Sequence, residues 1–327
     1  MEDRRLKRKL IEQRQLKAWS RRGSSPQAEN FKLIKLLLDM GLWATGLRKR
    51  GERNALTPVL KHLRLTFHTL PDAFHGFKIL HLSDLHIDGL TGLAERVADS
   101  LQALEVDLCV LTGDYRFFTR GSCREVYPRM ACLLAQVNAR DGVIGILGNH
   151  DVAEMVPEFE GMGVKMLLNT AVEIRRDLQS LWIVGVDDPH YYGCDDLPGA
   201  LRGVPADAFK ILLVHTPELL AEAQQHGIHL YLCGHTHGGQ ICLPFIGPVL
   251  THANCPRKYV RGAWQYGTVK GYTSPGVGCS GVPARFLCPP ELVLIELCQA
   301  QRLYDESEVN QDLTARPTLS GIEAPGV

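Results

Sequence analysis

From residue 77 onward, short apolar runs alternate with segments in which apolar positions recur at helical spacing. Each apolar run ends in a cluster of polar residues, and the runs are "FKILHLSD", "VDLCVLTGD", "GVIGILGNHD", "LWIVGVDD", "FKILLVHTP" and "HLYLCGHTH". The spacing between them predicts helices over residues 92–104, 124–138, 152–160 and 217–226. Such alternation is typical of βα units, in which buried strands are covered by helices. The pattern therefore predicts a fold of the α/β class.

The pattern changes on both sides of this region. After residue 237 helical spacing disappears, and "AWQYGTVKGYTS" and "ELVLIELC" predict strands of a second, more antiparallel sheet. Residues 299–327 are polar and are predicted to be a disordered tail. We therefore divide the chain into a basic, partly amphipathic helical extension (1–75), one domain (76–298) and the tail (299–327).

Charge separates the extension from the rest of the chain, although the net charge of the whole is zero. Residues 1–64 hold 17 Lys and Arg against 6 Asp and Glu, whereas the remainder holds 19 against 30. A basic arm on an acidic body suggests contact with an anionic surface, either a membrane or a nucleic acid. The alternative is a solvated basic helix.

The extension also contains an apolar segment, "FKLIKLLLDMGLWATGL" at 31–47. It is too short and too charged to span a membrane, and Lys32, Lys35 and Asp39 fall on one narrow helical stripe. The pattern predicts a helix lying in the membrane interface, with "RKR" at 48–50 directed at lipid phosphates. The alternative is a helix packed on the core of the protein itself.

The ten cysteines bear on the compartment. None forms a C-x-x-C pair, and several lie inside apolar runs, which indicates reduced, buried thiols rather than a zinc ribbon. "SRR" at 20–22 is followed by neither a prompt apolar run nor an A-x-A site, so we expect no export signal there. These features favour a cytoplasmic protein.

The polar clusters at the strand ends carry the candidate chemistry. In an open α/β sheet, ligands bind at the carboxyl ends of the strands, so these clusters are expected to meet at one rim. Carboxylate, imidazole and amide oxygen suit Mn²⁺, Fe²⁺ or Zn²⁺. There are too many donors for one tetrahedral site, and two ions about 3.5–4 Å apart can hold a hydroxide between them. The residues are Asp84, His86, Asp114, Asn149, His150, Asp151, His215, His235 and His237.

The order D-x-H, G-D, G-N-H-D, H and G-H-T-H resembles the calcineurin-like metallophosphoesterases over residues 77–298. The resemblance implies two packed mixed β-sheets flanked by helices, and a phosphoester hydrolase with two divalent ions, Mn²⁺ first, with Fe or Zn²⁺ as alternatives. It implies Asp84, His86, Asp114 and His237 around one ion, and Asp114, Asn149, His215 and His235 around the other. His150 would stabilise the scissile phosphate or protonate the leaving oxygen, while Asp151 would orient His150 or cap the helix that follows.

Three later segments, "GHTHGGQICLPFIGP", "YVRGAWQYG" and "GVGCSGVPARFLCPPELVLIEL", resemble one branch of this family. That branch contains membrane-associated phosphohydrolases, including the chlamydial-type UDP-2,3-diacylglucosamine hydrolase of lipid A synthesis. The resemblance implies a lipid-linked phosphoester or pyrophosphate as substrate. It also implies an enzyme at the cytoplasmic face of the membrane, which fits the basic amphipathic extension. We expect residues 1–50 to contact an anionic membrane surface, and we expect no specific nucleic acid as partner.

The chain departs from the family after "GD", where it continues "YRFFTRGS". Arg116 and Arg120 could bind phosphate, and Phe117 and Phe118 could meet acyl chains; the alternative is a basic loop with ordinary packing.

Two other functions stay open. One is the same catalyst acting on soluble nucleotides or nucleic acid, with the basic arm as a tether for phosphate. The other is a non-catalytic scaffold, which is disfavoured because every motif residue is present. If the arm serves only as a membrane tether, deleting residues 1–50 should spare activity on a soluble aryl phosphodiester and weaken activity on lipid vesicles.

Overall fold

The computed structural model describes residues 2–22, 36–248, 251 and 253–302. The helices are α1 (Glu2–Arg22), α2 (36–44), α3 (Arg48–Ala55), α4 (Leu93–Leu101), α5 (Val126–Leu134), α6 (Met155–Gly161), α7 (Leu197–Ala200) and α8 (Leu220–Gln225). Short 3₁₀ turns are formed by Asp72–Phe74, His237–Gly239 and Arg257–Tyr259.

The strands are β1 (Val59–Phe67), β2 (Phe77–Leu82), β3 (Glu105–Val106), β4 (Leu108–Leu111), β5 (Asn138–Ala139), β6 (Val143–Gly145), β7 (Val164–Met166), β8 (Thr170–Arg176), β9 (Gln179–Gly185), β10 (Phe209–Leu213), β11 (Leu230–Cys233), β12 (Cys242–Leu243), β13 (Gly247–Pro248), β14 (Gly262–Tyr266), β15 (Val269–Thr273) and β16 (Glu291–Gln299). Two six-stranded sheets hold most of them, in the orders β1-β16-β2-β4-β6-β7 and β14-β15-β11-β10-β9-β8. Each sheet combines parallel and antiparallel pairs.

The alternation of side chains along the strands explains how the layers pack. On β2, Ile79 belongs to the core formed by both sheets together, whereas Leu80 belongs to a second core with residues of α4, α5 and α6. On β10, Ile211 faces the shared core and Leu212 faces α7 and α8. Burying each such side chain contributes about 1.5–3 kcal/mol. The prediction of two packed mixed sheets flanked by helices is confirmed.

The two C-terminal segments predicted to belong to a second, more antiparallel sheet are divided between the two sheets. The hairpin β14–β15 extends the sheet already built by β8–β11, and β15 runs parallel to β11. Strand β16 inserts between β1 and β2 of the other sheet. Its central residues are apolar on both faces, which suits a strand inside a sheet rather than one at an exposed edge.

Strand β1 comes from the segment that the sequence analysis assigned to the extension. It pairs with β16 in parallel from Val59↔Glu291 to Phe67↔Gln299 and forms the edge of the first sheet. Its exposed positions carry Lys61 and His62, as expected of an edge strand that must not pair with another chain.

The extension otherwise contributes helices. Within the ranges described above, no helix combines the length and the apolar character that crossing a membrane requires. Residues 23–35, which include Lys32 and Lys35 of the amphipathic segment, and residues 303–327 of the predicted tail lie outside the described residues.

Candidate metal centre

The centre lies where central strands of both sheets end. Strands β2, β4 and β6 lead into Asp84, Asp114 and Asn149, while β10 and β11 of the second sheet lead into His215 and His235. Because the two sheets are packed face to face, loops from both reach one rim. The seven predicted ligands meet there, and ligand atoms lie within 4.8 Å of one another in three overlapping groups: Asp84, His86 and His237; His86, Asp114 and His150; Asp114, His215 and His235.

The first half of the centre contains two histidines and two carboxylates. His86 Nε2 lies 3.1 Å from His237 Nε2 and 3.7 Å from Asp114 Oδ2. His237 Nε2 lies 3.5 Å from Asp84 Oδ1. The ligand atoms of Asp84, His86 and His237 all lie within 4.8 Å of one another, as donors to a cation do, and Asp114 adjoins this group through His86.

The second half adds an amide oxygen. Asn149 Oδ1 lies 3.0 Å from His215 Nε2 and 2.9 Å from His235 Nδ1. Asp114 Oδ2 is 3.3 Å from His215 Nε2, so the same carboxylate oxygen faces both halves. An arrangement of this kind lets one carboxylate bridge two cations.

The outer ring nitrogens show whether these side chains fit a metal. His86 Nδ1 donates to the carbonyl of Arg116 at 2.7 Å, and His215 Nδ1 donates to the carbonyl of Thr112 at 2.7 Å. Each bond places a proton on Nδ1, so Nε2 is the ring nitrogen directed into the centre. Metal-binding histidines are usually held in this way, so the donor set fits divalent cations.

Burial and neighbouring charges set the protonation of the centre. Burial lowers the pKa of His86 to about 3 and holds the pKa of His237 well below its usual value, so both imidazoles are neutral ligands. Burial also raises the pKa of Asp84 to about 6. For the Asp114–His215 pair, attraction outweighs burial. The pKa of His215 rises to about 10, and that of Asp114 falls well below its usual value.

The backbone is strained at the same residues. Five of them have left-handed φ values: Asp84 50°, His86 37°, Asp114 57°, His235 69° and His237 51°. Residues other than glycine rarely adopt this region, and each costs about 1–3 kcal/mol unless its surroundings impose it. Here they do, because the His235 amide donates to both Asp84 oxygens at 3.0 Å and the Asp84 amide donates to Gly113 O at 3.0 Å.

Two glycines allow the loops to approach closely. A Cβ on Gly148 would lie 2.3 Å from Asp114 Oδ1, and one on Gly234 would lie 2.1 Å from Asp84 Oδ2. Both distances are far below van der Waals contact, so the two predicted ligands occupy space that any other residue type would fill.

His150 lies at the open side of the centre. Its Nδ1 is 2.8 Å from the carbonyl of Phe117, its Nε2 is 3.9 Å from Asp114 Oδ2, and its amide donates to Asp114 Oδ1 at 2.8 Å. The side chain is 16% exposed, compared with 2% for Asp114. The ring therefore presents Nε2 both to the centre and to the space in front of it.

Asp151 has neither of the two roles expected for it. Its Oδ2 accepts the amides of Asp114 and Gly148, each at 2.7 Å, and its Oδ1 accepts the amide of Tyr115 at 2.9 Å. The ring of His150 is held by Phe117 instead, and α6 starts at Met155 with no side-chain cap. Asp151 ties the "GD" loop to the "GNHD" loop because a buried carboxylate needs several donors.

Arg116 is also placed differently from the prediction. Its side chain is buried and donates to the carbonyls of His150, Thr119 and Gly121 and to Cys123 Sγ. A guanidinium bonded in this way stabilises the loop, as the alternative to phosphate binding expected. Arg120 is exposed, and its charge acts on nearby Tyr191.

Two neighbours of the centre were not assigned a role from the sequence. The His190 ring lies 4.6 Å from that of His235, and its Nδ1 lies 2.8 Å from Glu218 Oε1, a hydrogen bond that raises the pKa of His190. Buried Arg285 lies 3.4 Å from His237 Nδ1 and donates to the carbonyls of Pro275, Gly276, Gly278 and Cys288. The only sequence signal for His190 was its position directly after "DDP". Arg285 belongs to "GVGCSGVPARFLCPPELVLIEL", one of the three segments that resemble a branch of the family.

Comparison with known proteins gives concordant results. The sequence profile described as calcineurin-like phosphoesterase matches residues 77–239. The chain is 32% identical to the uncharacterized metallophosphoesterase YkuE of Bacillus subtilis, over 70% of this chain and 81% of that protein. It is 30% identical to the phosphodiesterase YaeI of Escherichia coli, over 73% of this chain and 87% of that protein. It is 31% identical to a transmembrane protein with metallophosphoesterase domain of Bos taurus, over 71% of this chain and 55% of that protein.

Proposed function

Because the chain belongs to the calcineurin-like phosphoesterase family and is a phosphoester hydrolase, we propose that it cleaves a lipid-linked phosphoester or pyrophosphate at a centre of two divalent ions. The observation that carries the proposed chemistry is the position of Asp114, whose one carboxylate oxygen faces His86 on one side and His215 on the other.

The proposed ligands are those given by the family motifs. Asp84, His86, Asp114 and His237 would hold one ion, and Asp114, Asn149, His215 and His235 the other. This donor set suits Mn²⁺ first, with Fe or Zn²⁺ as alternatives. When bound, such ions act as Lewis acids on the phosphoryl oxygens and on an attacking water.

His150 is the proposed proton donor. The carbonyl of Phe117 binds its Nδ1 and fixes the ring, so a protonated His150 presents Nε2–H towards the open side of the centre. A leaving oxygen bound there would receive that proton, an effect worth about 10²–10⁴-fold in rate.

Support for a lipid substrate comes from an exposed apolar surface, which we call the apolar rim. It combines residues of α2 with residues of the β12–β13 hairpin and one residue that precedes β16. Their exposed fractions are large: Leu36 55%, Leu37 57%, Met40 56%, Trp43 75%, Leu243 45%, Phe245 110%, Ile246 64% and Leu287 63%. Exposed apolar side chains grouped on a few elements are typical of a surface that binds a membrane or another protein.

The parts of the apolar rim are joined to each other and to the centre. Arg285 donates its amide to Gly51 O of α3, and the Phe286 carbonyl accepts the amide of Cys242 in β12. The thiol of Cys288 donates to the carbonyl of His237. The rim therefore begins a few residues from a proposed metal ligand, where a lipid-linked substrate would enter.

Charge favours a membrane over a protein as the partner. Arg48, Lys49 and Arg50 form the start of α3, which follows α2 after a short turn, and they are exposed, so cationic groups lie near the apolar side chains in the chain. Apolar residues flanked by basic ones suit an anionic lipid surface, at which each basic residue contributes about 1 kcal/mol. The name of the Bos taurus relative, a transmembrane protein, is consistent with a membrane setting. We propose that the protein lies on the cytoplasmic face of the membrane, with UDP-2,3-diacylglucosamine as the leading substrate.

A profile of metals against substrates tests this proposal. The purified full chain would be stripped of metal, reloaded with Mn²⁺, Fe²⁺ or Zn²⁺, and assayed on an aryl phosphodiester, on nucleotides, and on UDP-2,3-diacylglucosamine in anionic vesicles. We expect turnover only with metal, and faster turnover of the lipid than of the nucleotides. Faster turnover of nucleotides would favour the soluble alternative, and inactivity with every metal would refute the catalytic centre.

The apolar rim has its own test. The variant Phe245→Ser with Ile246→Ser should keep the aryl phosphodiester rate but lose vesicle binding and lipid turnover. The matched control is Leu178→Ser, because Leu178 is equally exposed, at 103%, on the turn between β8 and β9. Equal vesicle binding by all three proteins would remove the rim from membrane contact.

A further inference from the structure

We propose that Arg8 of α1 is a positioning residue for the loop 148–151, so that the N-terminal helix is part of the catalytic apparatus. This inference rests on the phosphoester hydrolysis proposed for the centre. Arg8 is 1% exposed, although it belongs to a helix rich in charged residues.

All five N–H groups of the Arg8 guanidinium have partners. One terminal nitrogen donates to the carbonyls of Gly148 and Asp151, at 3.1 and 3.0 Å. The other donates to Asp187 Oδ1 and to Cys194 Sγ. The Nε donates to Glu12 Oε1 at 2.9 Å. The two carbonyls flank Asn149 and His150, so Arg8 grips the loop on both sides of the residues that act on the substrate.

Neighbouring contacts fix the guanidinium in this place. The ring of Tyr192 lies against it at 3.5 Å. Glu12, one helical turn after Arg8, accepts the amide of Ala153 at 2.9 Å. One face of α1 thus binds three backbone groups between Gly148 and Ala153. The loop therefore depends for these hydrogen bonds on a helix that is distant in the sequence.

Burying an arginine costs free energy of desolvation unless the charge is paired. The contacts of Arg8 must therefore offset that cost. Asp187 supplies the opposite charge and, against the effect of burial, holds the pKa of Arg8 above its usual value. Charge compensation alone, however, would need only the carboxylates of Asp187 and Glu12. One nitrogen of Arg8 binds Gly148 and Asp151 while the other two bind Asp187, Cys194 and Glu12. The planar guanidinium makes all of these bonds at once, which the single ammonium of a lysine cannot do.

The inference changes the expectation for residues 1–50. A tether for the membrane alone would leave hydrolysis of a soluble substrate intact when deleted. A helix that positions the loop 148–151 would not, because a shift of about 1 Å in a catalytic group can cost about 10²-fold in rate. Away from Arg8, α1 still exposes Lys7 and Arg14, and these remain available to an anionic surface.

The test compares Arg8→Met, Arg8→Lys and the double variant Arg8→Met with Asp187→Asn, with Arg14→Met as the control on the exposed face. The double variant removes the Asp187 charge that Arg8→Met would leave unpaired, and Glu12, the other carboxylate beside Arg8, keeps its hydrogen bond from the amide of Ala153. The double variant should therefore fold even if Arg8→Met alone does not. For each protein kcat and KM on the aryl phosphodiester, bound Mn²⁺ and thermal unfolding would be measured. We expect the double variant to regain stability and metal while its kcat stays about 10²-fold low and its KM is nearly unchanged.

Two further readouts separate positioning from simple structural support. Arg8→Lys should retain the charge but have a kcat between those of Arg8→Met and the parent. In a further variant, Arg8→Ala, guanidinium added to the assay should raise kcat. A double variant with the kcat of the parent would assign Arg8 to charge compensation alone and overturn the inference. An inactive parent would instead count against the proposed function, so the two failures are distinguishable.

Discussion

Replacing Gly148 with alanine adds one methyl group at the tightest point of the centre. That carbon would lie 2.3 Å from Asp114 Oδ1 and 2.6 Å from the Asp114 amide nitrogen. Contact at a normal distance requires either Asp114 or the loop 148–151 to move by about 1 Å, and the backbone amide cannot swing aside as a flexible side chain can. Because Asp114 is the proposed bridging ligand and the loop carries His150, we expect kcat on an aryl phosphodiester to fall about 10²-fold.

Glycine-to-alanine substitution needs a control, since it also stiffens the unfolded chain. Gly161, the last residue of α6, has open space where its Cβ would lie, so Gly161→Ala should leave kcat unchanged and stabilise the fold by about 0.4–1 kcal/mol. Both proteins would be assayed for kcat, for bound metal by elemental analysis, and for unfolding by denaturant. A Gly148→Ala enzyme with the activity and metal content of the parent would show that the loops do not approach so closely in the active protein.

Three other substitutions test individual side chains. His150→Ala should retain metal and lose about 10²–10⁴-fold in kcat, and full activity would remove this ring from proton transfer. Asp114→Asn should lower the metal content of both halves of the centre, and unchanged metal content would contradict the bridging role. Arg116→Met should lower the free energy of unfolding by about 1.5–3 kcal/mol, because the hydrogen bonds of its guanidinium go to carbonyls of the loop. KM should stay the same. A raised KM with unchanged stability would return Arg116 to phosphate binding.

The centre was accessible to sequence reasoning because its parts obey a local rule. Asp84, Asp114 and His235 each follow an apolar strand directly, and strand ends of an α/β sheet meet at one rim whatever the rest of the chain does. The helices between the strands followed from spacing for the same reason, and α4 and α5 lie within the predicted ranges.

What the sequence did not reveal depends on contacts between distant segments. Strand β1 is an edge strand with many exposed positions, and its partner β16 lies more than 200 residues away. Arg8 looks like its exposed neighbours in α1, and only the fold brings Asp187, Gly148 and Asp151 around it. Asp151 was misassigned because the motif places it beside His150, whereas its carboxylate points to three backbone amides.

The most direct test of the account is to locate the ions. Crystals of the full chain grown with Mn²⁺ would be measured with anomalous scattering at the manganese edge. The account predicts two peaks about 3.5–4 Å apart, one beside Asp84, His86 and His237, the other beside Asn149, His215 and His235, with Asp114 between them. A single peak, or peaks away from these side chains in a protein that hydrolyses phosphoesters, would contradict it.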